Sequence, residues 1–301
     1  MEEVVDRLGL RLWPGRVRSV TSLAQGITNS NYLVDLGDER VVVRVPGRDT
    51  GLLGIDREVE ILAGDLAAAI GVGPDVIAMD AQTGCIITRF IDGRAVSAEE
   101  LASEPMLAMF VETLHRVHDA GVVHAVFDHL GVIRGYRRGA QERGVSAPFD
   151  APRAFETLER IARARPFRPS VLGHNDLLNA NFLFDGGLRI VDWEYAGMAD
   201  PFFDLANAAV NNAFPESSER RLLELYLGSI DDDALATFEL MKVVSELREA
   251  MWGVMQMAIS SLDVDFAAYA RERGEHALHL AERYDLEDLL DRTARYAARA
   301  V

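Results

Sequence analysis

The stretch VLGHNDLLNANFLFDGGLRIVDWEYAG sets four polar side chains, His174, Asp176, Asn181 and Asp192, around two short apolar pieces that can hold them rigidly. Their spacing is HxDxxxxN, and a further aspartate follows eleven residues beyond Asn181, just after an apolar piece. Phosphoryl transfer asks for a carboxylate that orients the attacking hydroxyl, oxygen ligands that hold Mg²⁺ against a triphosphate, and a cleft that excludes water. Asp176 suits the first task, and Asn181 and Asp192 suit the second. Asp and Asn also gather in hairpins because they favour turns, but four polar residues at these spacings within apolar sequence exceed what a turn requires. His174 is read differently, as a hydrogen-bonding strut beside the loop.

These residues need elements to position them. The first ninety residues read as strands around one helix: SNYLVDLG, RVVVRVPG, DVIAMD and GCIITRFI by alternation and β-branched content, with a helix from Asp56 to Ile70 between the second and third. That helix opens on acidic residues and ends before Gly71, Gly73 and Pro74, as helix termini do. Beyond Asp92 and Gly93 the patterns become long and helical, interrupted by FLFDGGLRIVDWEY, where the paired glycines between apolar runs predict a hairpin. From Ser217 onward the pattern is helical, with polar breaks at 231–233 and 260–265. The expected architecture is α+β in two lobes: a strand-rich lobe over residues 1–91 and a helical lobe over residues 92–301, with the ligand cleft between them.

Composition narrows the partners. Of the 301 residues, 31 are basic and 48 acidic, a net charge of −17, so a nucleic-acid partner is not expected and a cationic substrate is electrostatically welcome. The one cysteine, Cys85, lies in an apolar run and reads as a buried hydrophobe, which leaves no disulfide framework or cysteine metal cluster. The amino-terminal segment is acidic and amphipathic rather than signal-like, and no run reaches membrane-spanning length, so a soluble cytoplasmic protein is expected. A homodimer is compatible with the sequence. Lys242 is the only lysine, so a cation gripping phosphate elsewhere must be an arginine. His115 and His118 in LHRVH lack a third ligand and are read as structural rather than metal-binding.

HNDLLNANFLF, IVDWEYAG and DPFFDLAN together resemble the catalytic loop, metal-binding segment and following helix of the choline/ethanolamine kinases, within the aminoglycoside phosphotransferase-like kinase superfamily. The resemblance implies a protein-kinase-like two-lobed fold, ATP and Mg²⁺ as cofactors, Asp176 as base, and Asn181 and Asp192 as magnesium ligands. It implies that Asp204 braces the catalytic loop, although a helix N-cap is an equal reading of that aspartate. SLAQGITNSNYLV is similar to the family's phosphate-covering loop, with the single glycine Gly26 and with Thr28, Asn29 and Ser30 supplementing backbone N–H groups. Arg44 stands where protein kinases carry their nucleotide-anchoring lysine and keeps a charge that can grip two phosphate oxygens. Its partner glutamate falls on Glu60, with Glu58 as the alternative. Arg89, Phe90 and Ile91 would offer backbone groups to adenine.

In ELREAMWGVMQMAISSLDVDFAAYARER, Trp252 and Tyr269 match the family's substrate pocket, where aromatic faces receive an ammonium group. Met255 stands where a second pocket tryptophan is expected, and Asn211 where a family carboxylate helps hold the cation; Asp263 and Asp265 are candidates to replace that charge. Met255 and Met257 read first as packing residues. The expected activity is an ATP-dependent kinase acting on the hydroxyl of choline, ethanolamine or a similar amine alcohol. The alternatives are a superfamily relative acting on an aminoglycoside, thiamine or sugar alcohol, and a nucleotide-binding pseudokinase. A protein kinase is disfavoured because the full glycine-rich loop, DFG and APE segments are absent, and a Ser/His/Asp hydrolase because no GxSxG occurs.

Overall fold

A computed structural model describes residues 2–23, 28–47 and 50–299. Alternation dictates the first half. Val41, Val43 and Val45 point to one face of a strand, and Val42 and Arg44 to the other. The chain runs as α1 (Glu2–Leu12), β1 (Ser19–Ser22), β2 (Asn29–Asp35), β3 (Arg40–Pro46), α2 (Arg57–Ala69), β4 (Val76–Asp80) and β5 (Cys85–Arg89). The strands form one antiparallel sheet in the order β1-β2-β3-β5-β4. Val5 and Leu8 of α1 seal the Val41/Val43 face together with Tyr32, Val34, Cys85 and Ile87. The opposite face is left to line a cavity. Neither α1 nor β1 is among the elements expected from the sequence.

The helix α2 is bounded as its sequence requires: Asp56 caps it by accepting from the N–H groups of Glu58 and Val59 at 3.0 and 3.3 Å, and Gly71 follows at φ 68°. Its buried face, Val59, Ala63 and Ala67, belongs to the large core of the helical part rather than to the cluster under the sheet. The strand-rich part is therefore anchored through α2 to everything that follows.

After β5, residues 90–93 form an irregular connector. The remainder comprises β6 (Arg94–Ala95), α3 (Ala98–Leu101), α4 (Glu104–His118), α5 (His129–Glu142), α6 (Ala151–Ala164), β7 (Val171–Gly173), β8 (Phe182–Phe184), β9 (Leu188–Ile190), β10 (Gly197–Ala199), α7 (Pro201–Asn211), α8 (Glu216–Leu227), α9 (Asp232–Ile259), α10 (Phe266–Glu282) and α11 (Leu286–Arg299). β8 and β9 are the hairpin expected at the paired glycines, with Gly186 at φ 105°. α9 is buried around its circumference from Asp233 to Gln256, with α5, α7, α10 and α11 packed against it. Lys242 lies inside this bundle, held by Glu219 at 2.8 Å. Among the described residues no helix is long and apolar enough to cross a membrane. The result is a mixed fold, a strand-rich antiparallel sheet joined to a larger helical part, as the sequence predicts.

Candidate active site

The loop between β7 and β8 carries Asp176, and its backbone is held by side chains from α7. Asp204 accepts from the N–H groups of His174 and Asn175 at 2.8 and 2.7 Å, and contacts Nε2 of His118 at 3.1 Å. The helix N-cap at this turn is Asp200, which accepts from Phe202 N–H at 3.0 Å, so the two readings of DPFFD fall on two different aspartates. Asn207 accepts from Leu177 N–H at 2.6 Å and Asn212 donates to Leu177 carbonyl at 2.9 Å. Burial works to raise the Asp204 carboxyl, but the hydrogen bond and charge of His118 outweigh it, and the group is held below the ordinary aspartate value. His118 thus serves the loop as Asp204's partner, its other ring nitrogen 2.6 Å from the Tyr226 hydroxyl.

His174 is fully buried, with Nε2 3.0 Å from Val191 carbonyl and its ring edge-on to Trp193. Burial pulls it down to about 4, so it is neutral in ordinary buffers and acts as a strut between loop and hairpin. Two residues of the site, Asn175 at φ 65° and Asp192 at φ 70°, adopt the left-handed backbone conformation that L-residues with a side chain seldom take. Asn175 is fixed there by donating to Tyr195 carbonyl at 2.9 Å.

Asn181 donates to the Asp176 main-chain carbonyl at 2.9 Å and lies 3.4 Å from its carboxylate. Asp192 is met by Arg44, which reaches from β3 and also grips Glu60 of α2. Glu60 is buried and takes a second arginine, Arg57, at 2.5 Å, whereas Glu58 is exposed, which decides between the two glutamates. Arg57 also donates to Asn29 at 3.2 Å, and Asn29 donates to Glu194 at 2.7 Å, tying the stem of the β1–β2 connection to the segment after β9. The Asn29 side chain is thus already committed, and Ser30 is buried in β2 opposite Val45. Gly26 lies outside the described residues. A Cβ at Gly47 would collide with the main-chain carbonyl of Thr28, so only glycine lets the end of β3 pass that stem.

Two cavities share a wall made of Asn31, Ala180, Asn181 and Asp192. The first, 440 Å³, lies under the free sheet face and is lined by Val42, Arg44, Glu60, Arg89, Phe90 and Ile91 among others. The N–H groups of Arg89 and Phe90 are spent on the carbonyls of Asp75 and Arg40, so within this trio a free N–H for a purine base has to come from Ile91. The second, 400 Å³, is lined by Thr28, Asp176, Asn211, Glu249, Trp252 and Tyr269 among others. Trp252 donates to the Tyr195 hydroxyl at 3.0 Å and meets Tyr269 edge-on at 5.8 Å. Met255 is packed in the core and is absent from the cavity wall, as its packing reading expects.

The charge at this end of the second cavity comes from a residue the sequence did not single out. Asp263 and Asp265 are exposed, and Asp265 caps α10 through Ala268 N–H, which overturns the expectation that one of them faces the site. Glu249 of α9 lines the cavity instead, accepting from Tyr269 hydroxyl at 2.7 Å and from Arg248 at 2.5 Å. Arg248 also donates to Asp176 at 3.3 Å and lies over the Tyr195 ring at 4.3 Å. Asp176 is enclosed by protein except toward the cavity. Burial raises its carboxyl well above the ordinary range; Arg248 opposes this, and Glu249 and Glu194 add to it. For Glu249 burial is overcome, chiefly by the charge of Arg248, and its carboxyl is lowered. Nothing in the pattern REAMW, charged residues on a helix, separates Glu249 from a solvated glutamate.

The model of the phosphotransferase enzyme family matches residues 19–239. Protein LicA of Haemophilus influenzae is 26% identical over 269 residues, spanning 85% of this chain and 78% of its own. Ethanolamine kinase 2 of Homo sapiens is 27% identical over 298 residues, spanning 85% and 74%. Among solved structures, a choline/ethanolamine kinase family protein from Mesorhizobium loti superposes with a TM-score of 0.78 at 27% identity, covering 98% of this chain and all of the other.

Proposed function

The chain belongs to the phosphotransferase enzyme family, and from that premise we propose that it moves the γ-phosphoryl group of ATP onto the hydroxyl of a small amine alcohol such as choline or ethanolamine. The observation that carries this reading is the wall shared by the two cavities, because it sets Asn181 and Asp192 between a pocket edged by Arg44 and a pocket holding Asp176. In this reading residues 1–91 form the nucleotide-binding lobe and 92–301 the lobe that carries the loop and the acceptor. ATP occupies the sheet-side cavity, its adenine near Phe90 and Ile91 and its phosphates toward Arg44. The acceptor hydroxyl faces Asp176, which takes its proton as the oxygen attacks the γ-phosphorus; the bond to the departing ADP oxygen breaks as the new one forms.

Asn181 and Asp192 are the residues that would hold Mg²⁺. Both offer hard oxygen, and one or two protein ligands completed by phosphate and water is the arrangement this ion favours. Asn181 spends its amide nitrogen on the Asp176 carbonyl, so its oxygen is the end left for a cation. Bound there, magnesium neutralises the charge on the transferring phosphates. Glu249 supplies the charge for the acceptor's ammonium, with Trp252 and Tyr269 as its apolar walls. Asn211, on the same wall, contributes a neutral hydrogen-bonding group.

The test is ADP release with MgATP across choline, ethanolamine, their methylated intermediates, thiamine and an aminoglycoside. Turnover with an amine alcohol, abolished in Asp176→Asn, is the expected result. Turnover confined to thiamine or the aminoglycoside overturns the acceptor assignment, and full activity in Asp176→Asn overturns the mechanism.

A further inference from the structure

Arg248 is only 1% exposed, yet it lies in the wall of the acceptor cavity, and its Nε and Nη2 have no hydrogen-bond partner. Burying a guanidinium with unmet donors is costly, and such a group persists where its geometry does something an apolar residue could not. Here one nitrogen, Nη1, contacts both Asp176, at 3.3 Å, and Glu249, at 2.5 Å. The two carboxylate oxygens therefore stand at most about 6 Å apart, the sum of those contacts. The plane of the guanidinium is fixed over Tyr195, whose hydroxyl is in turn held by Trp252, so the link is braced on its far side.

We infer that Arg248 is a spacer that fixes how far the acceptor's ammonium stands from its hydroxyl, a specificity-determining residue rather than a catalytic one. The inference rests on the amine-alcohol reading, in which the hydroxyl meets Asp176 and the ammonium meets Glu249. With both carboxylates gripped by one nitrogen, an acceptor must set its hydroxyl and its ammonium against two oxygens whose separation it cannot change. Two carbons between oxygen and nitrogen set those atoms about 3–4 Å apart, which two hydrogen bonds of ordinary length bridge to such a pair of oxygens. A fully extended five-carbon chain sets them about 7–8 Å apart, wider than the two oxygens, so it fits only with its ends splayed outward or its chain bent. Without Arg248 the Glu249 carboxylate keeps, among the described residues, only its contact with the Tyr269 hydroxyl and can swing about it to follow a longer acceptor.

The experiment is an acceptor ladder of ethanolamine, 3-aminopropanol, 4-aminobutanol and 5-aminopentanol at saturating MgATP. In the unaltered protein kcat/KM is expected to be highest at two or three carbons and to fall by about tenfold or more by five. In Arg248→Met the ladder flattens, so that the ratio of short to long acceptors drops toward one while KM for ATP stays put; Arg248→Lys, which keeps a charge with less reach, retains part of the slope. A purely structural role would lower all four acceptors together. Equal use of two and five carbons by the unaltered protein, or a wild-type ladder in Arg248→Met, overturns the spacer. Should Arg248→Met not melt as a folded protein, Arg248→Lys and Glu249→Gln take its place, and unchanged ladders in both overturn it equally. Failure of every amine alcohol at every length is a different result, because it removes the acceptor assignment itself.

Discussion

The two cavities on either side of Asn181 and Asp192 are built by opposite means. The sheet-side cavity is made of short strands and one helix, and its charges form a chain of contacts in which Arg44 joins Asp192 to Glu60 and Arg57 joins Glu60 to Asn29. The second cavity is set against a bundle around one helix buried on all sides, and two of the charges on its wall, Arg248 and Glu249, are neighbours in sequence on that helix. The first is a site assembled across elements distant in sequence. If Arg248 acts as the proposed spacer, the second sets its acceptor spacing through two adjacent residues, and a change of acceptor asks for little rebuilding.

The largest effect should come from the carboxylate of the second cavity: Asp176→Asn is expected to lower kcat by about 10²–10⁴ or more while nucleotide binding, followed by calorimetry, is retained. Loss of nucleotide affinity instead would mean the two cavities are not separable. Next, Arg44→Met should raise KM for ATP by about tenfold or more and leave KM for the acceptor nearly unchanged, whereas Glu249→Gln should do the reverse. Steady-state kinetics varying each substrate in turn measures this crossing pattern, and parallel changes in both constants would dissolve the comparison.

Much of the sheet side was legible in sequence because its cues are local. Alternation in RVVVRVPG fixes the face on which Arg44 emerges, and HxDxxxxN with the later aspartate spans one loop and one hairpin. What was not legible depends on burial. Glu58 and Glu60 lie on one helix, and only packing distinguishes the exposed one from the one that receives two arginines. On α9 polar and apolar residues alike are buried, so no stripe marks the inward face, and Arg248 and Glu249 read like any charged helical pair. The expectation that Asp263 or Asp265 replaces the missing carboxylate failed for the same reason, since proximity in sequence to the aromatic residues does not turn a side chain toward them.

Smaller effects test the supports. Asp204→Asn leaves the N–H groups of His174 and Asn175 facing one acceptor oxygen instead of two, a loss of about 2 kcal/mol in unfolding free energy. The sign of its pH dependence follows from the carboxyl being held below its ordinary value. The stabilisation is complete above the unfolded aspartate value of about 4 and disappears as pH falls through the lower folded value. Urea unfolding at several pH values should therefore show a shallower acid limb in Asp204→Asn than in the unaltered protein. Asn29→Ala, which frees the loop stem from Glu194, should cost about 1 kcal/mol and raise KM for ATP only a few-fold.

The chain has three tryptophans, and two of them divide the cavities between them: Trp193 borders the sheet-side cavity and Trp252 the one that holds Asp176. Each cavity thus carries its own intrinsic fluorophore, in a different quenching environment: Trp193 against the His174 ring and Trp252 against Tyr269 and the Tyr195 hydroxyl. Emission from Trp193→Phe and Trp252→Phe proteins would then report occupancy of one cavity at a time, so the order in which the two substrates enter can be followed in stopped flow without a label.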